Sequence, residues 1–369
     1  MSPAAGQRSL ALDVFRGIAI AGMILVNTPG SWAHIYAPLR HADWHGCTPT
    51  DLVFPFFLFA TGAAMFFSFA RSQYQPQPDV LRGIARRSAL LILIGILLNA
   101  YPFMTPLSEW RIPGVLQRIG LAYALGALLI LYCPGRWRYL ISAALLLGYW
   151  WLLQTFGGDS PYSLEHNLVR DVDLAVFGTS HLWSGFGIAF DPEGLLSTLP
   201  SVVSVVAGFE AARLVGRAPV GVGIVTRLLV IGAAMIGAGM LWNAWFPINK
   251  ALWTSSYVLF TSGIGWVTLA LLMLVLDVWG FRKLGRPLEI YGTNPLFIYI
   301  VSIVLARTLW LIELERDNGD TVSLYTWLWE QLLPMASPVN ASLIFALVNV
   351  ALLWWLSLVL YRRGIIIKL

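Results

Sequence analysis

Charged residues are scarce in this chain of 369 residues, since Asp, Glu, Lys and Arg make up only 12% of it. A soluble domain usually carries about 25%. Apolar residues make up 58%, and the mean hydropathy is +0.71. These values indicate an integral membrane protein. Only two cysteines are present, Cys47 and Cys133; the predicted topology places them on opposite sides of the membrane, so we expect no disulfide.

Apolar runs long enough to cross about 30 Å of hydrocarbon as helices recur along the chain. A transmembrane barrel would instead show alternating segments of about ten residues. We therefore predict an all-α, polytopic membrane helical bundle that forms one domain over residues 1–369. The ten predicted spans are residues 10–29, 52–70, 84–101, 113–132, 139–156, 195–214, 224–246, 253–276, 288–311 and 341–361. A short helix within residues 322–337 is predicted to lie at the membrane interface.

Lys and Arg concentrate on one side of this predicted bundle. Most of them lie near both chain ends, including Arg8 and Lys368, and in the connections after the second, fourth, sixth and eighth spans. Such an excess marks the cytoplasmic side, so we predict that both termini are cytoplasmic. The net charge of +5 follows from this bias, and we expect no nucleic acid partner. All five histidines fall on the opposite side, as does the longest connection, residues 157–194.

The polar loop 40–51 joins the first two spans and combines two histidines, two carboxylates and an indole. Histidine titrates near neutral pH and serves as a general base or a nucleophile. Asn27 and Asp51 frame this loop from the two span ends, and a carboxylate near His41 would fix its tautomer. We therefore predict a site here. Zinc bound by His41 and His45 is the less favoured alternative, because no third ligand is evident.

Charges within spans are further candidates. Asp13 and Arg16 share one helix face, so they either orient the first span as a pair or take part in binding. Arg118, in the segment 111–118, needs a carboxylate, a phosphate or a carbonyl as its partner, unless it snorkels to the outer surface.

Three polar segments lie elsewhere. Residues 242–256 mix aromatic and amide side chains, which is typical of sugar sites and equally of membrane interfaces. Residues 191–194 (Asp-Pro-Glu-Gly) end the long connection, where a plain turn would have the same composition. Gly292 and Pro295 predict a break or a kink in the ninth span.

Several of these segments, taken in order, match a known pattern. They are residues 9–17, Asn27, residues 41–46 (His-Ala-Asp-Trp-His-Gly) and 51–55, followed by 111–118, 191–194, 249–256 and 292–294. The pattern resembles the heparan-α-glucosaminide N-acetyltransferase family, which comprises a lysosomal transmembrane acetyltransferase and its bacterial relatives. The resemblance covers nearly the whole chain.

The resemblance implies an enzyme that takes acetyl from cytosolic acetyl-CoA and delivers it to a glucosamine amine across the membrane. It identifies His41 as the active-site histidine, with Asn27 and Asp51 at the accompanying catalytic positions. The family usually has Asn where this chain has His45. We predict that the acceptor is bound by Trp44, His45, Glu193, Asn249, Lys250 and Trp253, and CoA by Arg16, Arg86, Arg87, Arg118, Ser255 and Asn294, without a metal.

The resemblance also implies in which membrane the protein lies and what it binds. Because the first span begins near the start of this sequence, we expect a small amino sugar or an envelope glycan as the acceptor rather than a long polymer. We expect the protein in the inner membrane of a bacterium, surrounded by lipid. A homodimer is a further expectation.

Two mechanisms are open at this stage. His41 either removes a proton from the attacking amine or becomes acetylated and passes the group on. In both, Asn27 faces the developing oxyanion, Asp51 orients His41, and the thioester arrives through a tunnel that opens on both faces. A transporter or flippase for a sugar or glycolipid is the alternative from another class, although such proteins often repeat their broken helices in matching halves, and we find no counterpart of residues 292–295. A structural or signalling protein would leave the loop 40–51 unexplained.

Overall fold

The computed structural model describes residues 10–317 and 319–367, and within them it has thirteen α-helices and one two-stranded hairpin. The helices are α1 (Leu10–Asn27), α2 (Val53–Ala70), α3 (Pro78–Ala100), α4 (Val115–Tyr132), α5 (Gly135–Phe156), α6 (Leu168–Phe177), α7 (Thr198–Gly216), α8 (Val222–Trp242), α9 (Ser255–Met273), α10 (Arg282–Tyr291), α11 (Pro295–Leu311), α12 (Leu324–Glu330) and α13 (Pro338–Arg362). Strands β1 (Glu313–Glu315) and β2 (Thr321–Ser323) pair antiparallel. The predicted all-α membrane bundle is confirmed. Arg8 and Lys368 of the predicted charge bias, and Ser9 of the matching segment 9–17, lie outside the described residues.

Length and composition identify most of the predicted spans. Among the described residues, eight helical segments are long and apolar enough to cross a membrane, and the bent pair α10–α11 would make a ninth. The remaining predicted span is α3. Its first ten residues include Asp79, Arg82, Arg86 and Arg87, so only its later part is mostly apolar. Length and composition alone therefore identify eight or nine of the ten predicted spans.

Helices α2 and α7 pack backbone against backbone. A Cβ atom at Gly62 would collide with the carbonyl of Val205, and one at Gly208 would collide with the carbonyl of Phe59. Close approach at small residues is a common way for membrane helices to pack. This contact fixes α2, whose start is joined to the loop 28–52.

The predicted break in the ninth span is confirmed. Helices α10 and α11 meet at an angle of 58°, and residues 292–294 separate them. Helix α1 lies against this break, since a Cβ at Gly17 would collide with the carbonyl of Leu288, and one at Gly292 would collide with the carbonyl oxygen of Asp13. The break is thus held in place by the first helix.

Two elements of the connections were not predicted. The long connection 157–194 contains α6, which is capped by Asn167: its Oδ1 accepts a hydrogen bond from the backbone N–H of Arg170 at 2.9 Å. The hairpin β1–β2 includes the start of the segment 322–337, where the predicted short helix is limited to Leu324–Glu330. Both elements are too short to stand out as apolar spans in the sequence.

Candidate active site

The loop between α1 and α2 brings His41 and Asp51 together. The Nδ1 atom of His41 lies 2.6 Å from Oδ1 of Asp51. The Asp51 side chain is 1% exposed, whereas that of His41 is 44% exposed. A histidine held by a carboxylate through one ring nitrogen presents the other in a fixed orientation. The pair can therefore act on a molecule that comes from the exposed side of the ring.

Asp51 is fixed by its own local structure. Its Oδ2 accepts hydrogen bonds from the backbone N–H groups of Ala42 and Thr48 at 3.1 and 3.0 Å, and from the Thr48 hydroxyl at 3.1 Å. Residues Pro49–Leu52 form a short 3-10 helix in which Asp51 reaches back to its N-cap residue Thr48. Tyr257 of α9 donates to the main-chain carbonyl of Asp51 at 2.6 Å. These bonds oppose rotation of the carboxylate away from His41.

The rest of the loop is tied to two distant turns. Gly46 has a φ of 110°, which favours glycine, and its N–H donates to the carbonyl of Ile248 at 2.7 Å. The indole N–H of Trp44 donates to the carbonyl of Tyr162 at 2.7 Å. The position of His41 thus depends on the connections that precede α6 and α9.

Lys250, in the turn between α8 and α9, lies beside the His41–Asp51 pair. Its Nζ is 3.1 Å from Nδ1 and 3.4 Å from Nε2 of His41, and 3.6 Å from Oδ1 of Asp51. Burial lowers the pKa of Lys250, although the carboxylates of Asp51 and Glu193 oppose this shift. The lysine therefore releases its proton more readily than a fully solvated one.

A cavity of about 550 Å³ opens beside these groups. Its volume lies within the roughly 300–1,000 Å³ of small-molecule sites. Six predicted site residues line it: Asn27, His41, Trp44, Asp51, Glu193 and Lys250. Further aromatic rings come from Trp32, Trp183 and Phe186. The cavity therefore combines flat apolar surfaces with a few polar groups.

Glu193 supplies a carboxylate to this cavity. Arg111 donates from Nε and Nη2 to the two oxygens of Asp191 at 2.7 Å each, and from Nη2 to Oε2 of Glu193 at 2.6 Å. The other oxygen of Glu193 accepts no hydrogen bond from residues 10–317 and 319–367. It can therefore accept a hydrogen bond from a molecule in the cavity.

Asn27 is the last residue of α1 and lines the same cavity. It is exposed, and no bond from its amide to another described residue is formed. Its N–H groups are thus available to an oxygen atom beside His41.

The family model described as "Heparan-alpha-glucosaminide N-acetyltransferase, catalytic" matches residues 8–218. The chain belongs to this family. The match includes Asn27, His41, Asp51, Arg111 and Glu193, whereas Lys250 lies beyond it.

Two curated relatives of this family are similar to the chain. The protein named heparan-alpha-glucosaminide N-acetyltransferase from Homo sapiens is 29% identical, over 79% of this chain and 52% of its own length. The protein of the same name from Mus musculus is also 29% identical, over 80% of this chain and 53% of its own length. The chain thus spans about half the length of these relatives.

Three residues of this chain that the sequence predicts as acceptor ligands, His45, Asn249 and Trp253, do not line the cavity. Nδ2 of Asn249 lies 3.3 Å from Nδ1 of His45, and Oδ1 of Asn249 accepts the backbone N–H of Leu252 at 2.8 Å. Trp253 is 1% exposed and packs against Phe54 with the ring centroids 5.0 Å apart. These residues shape the turn that carries Lys250.

Three predicted CoA ligands have structural partners instead. Arg118 is buried and donates to the carbonyl of Gly194 at 3.1 Å and to the hydroxyl of Ser197. Ser255 donates to the carbonyl of Leu146 at 2.7 Å. Asn294 binds the backbone of the C-terminal segment, donating to Ile365 at 2.9 Å and accepting from Ile367 at 2.8 Å.

The other three predicted CoA ligands lie far along the helices from His41. Arg16 pairs with Asp13 at 2.8 Å in the first half of α1. Arg86 is exposed, and Arg87 lies 4.8 Å from the ring centroid of Tyr123. The structure does not bring these arginines to the cavity.

The cavity ends within the bundle. Met23, Phe54 and Tyr299 line it, while Ile20 and Leu58, one turn further along α1 and α2, are 0% exposed. The continuous tunnel expected from the sequence is therefore not open along this line.

Sequence reasoning missed several cavity residues. Trp32, Trp183 and Phe186 lie in connections rich in aromatic residues, which was the only available signal. Arg111 begins the polar segment 111–118, but the sequence predicted no role for it. Tyr299 lies within an apolar span, where nothing in the sequence distinguishes it.

Among the described residues, no group of three or more His, Cys, Asp or Glu is placed to hold a metal ion. The arrangement instead offers an oriented imidazole, a lysine of lowered pKa, an amide and a carboxylate around one cavity.

Proposed function

We propose that this protein transfers acetyl from acetyl-CoA to the amine of a glucosamine-type sugar. The observation that carries the proposal is the His41–Asp51 pair at 2.6 Å beside a 550 Å³ cavity. Membership of the family and the printed names of the human and mouse relatives support the same chemistry. They favour an enzyme over a transporter or a flippase.

His41 acts on the acetyl group or on the amine. Held by Asp51, its ring either takes the proton of the attacking amine or attacks the thioester carbonyl itself; either form of catalysis fits the geometry. Asn27 donates a hydrogen bond to the oxyanion that develops on the carbonyl, which is worth roughly 2.7–4 kcal/mol for one such donor. Asp51 is a positioning residue.

The acceptor binds against the aromatic side of the cavity. The rings of Trp44 and Trp183 offer flat apolar surfaces to the face of a sugar. The unpaired oxygen of Glu193 accepts a hydrogen bond from the sugar ammonium, and this contact is strengthened by the charges on both groups. A small amino sugar or the end of an envelope glycan fits this cavity.

Donor and acceptor come from opposite sides in this proposal. The excess of Lys and Arg supports a cytoplasmic location for both termini, so the His41 side faces outward from a bacterial inner membrane. Acetyl-CoA then enters from the side of Arg16, Arg86 and Arg87. For its thioester to reach His41, the side chains around Ile20 and Leu58 must separate.

Sealed vesicles test the proposal. Purified protein of known orientation is reconstituted, acetyl-CoA with a labelled acetyl group is placed on the side of the termini, and glucosamine on the other. We expect labelled N-acetylglucosamine on the glucosamine side, detected by mass spectrometry.

The His41→Ala variant is the matched control. It should fold normally and transfer no acetyl. Undiminished transfer by this variant would remove His41 from the mechanism, and movement of unmodified sugar without acetylation would instead support a transporter.

A further inference from the structure

Lys250 is held in place by an ordered turn, while its ammonium group reaches His41. The preceding residue, Asn249, forms two hydrogen bonds across this turn. Its backbone N–H donates to the Thr254 hydroxyl at 3.0 Å, and its Oδ1 accepts the N–H of Leu252 at 2.8 Å. Asn249 is 0% exposed. The Lys250 side chain, by contrast, is 22% exposed and lines the cavity.

The distances place Lys250 beside the ring at which the proposed transfer takes place. Its Nζ lies within 3.4 Å of both ring nitrogens of His41. The carbon under attack is adjacent to this ring, and the sulfur is bonded to that carbon. The departing sulfur is thus within a few ångströms of the lysine.

The sulfur takes up a proton as it leaves. An alkyl thiol ionises at a pH of about 8.5, so the departing thiolate becomes a thiol at neutral pH, and a nearby acid that supplies this proton assists its departure. Among the groups already assigned, Asp51 has no proton to give, and His41 is occupied by the amine or by the acetyl group.

We propose that Lys250 is the acid that protonates the CoA sulfur and the base that receives the first proton of the sugar ammonium. This inference rests on the proposed acetyl transfer. The neutral lysine first takes a proton from the ammonium and leaves a free amine. When the carbon–sulfur bond breaks, the sulfur takes the bonding electron pair, and the lysine returns the proton to it.

The proton balance closes in each turnover. The sugar ammonium loses two protons as its nitrogen bonds to the acetyl carbon. One passes through Lys250 to the sulfur and forms the CoA thiol. The other leaves through His41 to water, so one proton is released for each acetyl group transferred.

The groups around Lys250 suit a lysine that must both donate and accept a proton. The ionisable groups that face it are His41, Asp51, Glu193 and Cys47. Burial lowers the pKa of Lys250, and the two carboxylates limit this effect. Both forms of the lysine are therefore more nearly balanced at neutral pH than in water.

Two substitutions separate proton transfer from charge. Lys250→Arg keeps a positive charge but does not release a proton at physiological pH, and Lys250→Gln removes the charge. We expect both variants to lose about 10²–10⁴-fold in kcat with acetyl-CoA, at an unchanged apparent Tm. If Lys250→Arg retained wild-type kcat, charge alone would explain the lysine, and the proposal would be overturned.

The leaving group supplies a second measurement. S-phenyl thioacetate releases an aryl thiolate, which departs without a proton more easily than an alkyl thiolate. We expect Lys250→Gln to lose much less activity with this donor than with acetyl-CoA, and equal losses would argue against the proposal. A wild-type protein that acetylates no amino sugar from acetyl-CoA would refute the proposed function itself, whereas an active wild type with an active Lys250→Arg variant would refute only the role of Lys250.

Discussion

The carboxylate of Asp51 binds His41 through one oxygen and the backbone of the same loop through the other. Oδ1 lies 2.6 Å from Nδ1 of His41, while Oδ2 accepts from Ala42 and Thr48. One buried side chain thus fixes both the fold of the loop and the orientation of the imidazole. The two tasks can be separated by substitution.

Asp51→Asn should preserve the loop and impair the chemistry. The amide oxygen can still accept from Ala42 and Thr48, but the amide N–H₂ would then donate to Nδ1 of His41 and hold the opposite tautomer. We expect a loss on the order of 10³-fold in kcat. The measurement is steady-state kinetics together with the apparent Tm. Wild-type kcat in a folded variant would show that Asp51 does not set the tautomer.

Asn27→Ala should lower kcat more than it changes KM. The amide lines the cavity but is exposed and supports no described contact, so its removal should not unfold α1. Loss of an oxyanion donor costs about 10²–10³-fold in kcat. Kinetics with acetyl-CoA as the varied substrate test this. A rise in KM at constant kcat would instead identify Asn27 as a ground-state binding group.

Glu193→Gln should weaken binding of the acceptor. Arg111 would keep both of its bonds to Asp191 and could still donate to the glutamine oxygen, so the local structure should persist. A hydrogen bond to a charged group contributes about 1.5–3 kcal/mol, which corresponds to a rise of roughly 10–100-fold in KM for glucosamine. The KM for acetyl-CoA is the internal control and should not change.

Asp173→Asn should alter the pH dependence of stability. Burial raises the pKa of Asp173 to about 7, with Asp191 adding to the rise, while the N–H of Leu195 and the charge of Arg118 oppose it. The unfolded chain loses this proton near pH 3.9, so stability falls as the pH rises from about 4 to about 7.

The asparagine variant has no such proton to lose. Its Oδ1 can still accept from Leu195, and its amide N–H₂ replaces an oxygen that has no described partner. The difference in apparent Tm between the variant and wild type should therefore grow from pH 4 to pH 7. Above pH 7 the variant should remain the more stable of the two. Parallel Tm curves for the two proteins would contradict this explanation.

Gly208→Ala should disrupt the packing of α7 against α2. The added Cβ would collide with the main-chain carbonyl of Phe59, which cannot move without displacing a helix. Overpacking typically costs 1–3 kcal/mol, occasionally more. Gly148→Ala, at a helical glycine with nothing within 4 Å of the added atom, is the matched control. A lower apparent Tm for the first variant alone would support the contact.

The sequence determined the membrane bundle because hydropathy is a local property: a run of apolar residues is expensive in water whatever surrounds it. It also predicted His41 with Asp51, because the two lie ten residues apart on one short loop. The break between α10 and α11 followed equally from a local pattern of Gly and Pro. The sequence did not predict α6, because ten residues are too few to stand out as an apolar span.

Tertiary structure decided which distant residues share the cavity. Lys250 stands 209 positions from His41 in the sequence. Nothing local distinguishes Lys250 from Asn249 or Trp253, whose side chains are buried within the structure instead of lining the cavity. Arg118 found its partners just before the start of α7, and Ser255 found one in α5, rather than in the cavity. Side-chain direction at such positions follows from how helices far apart in sequence pack together, and local composition does not encode that arrangement.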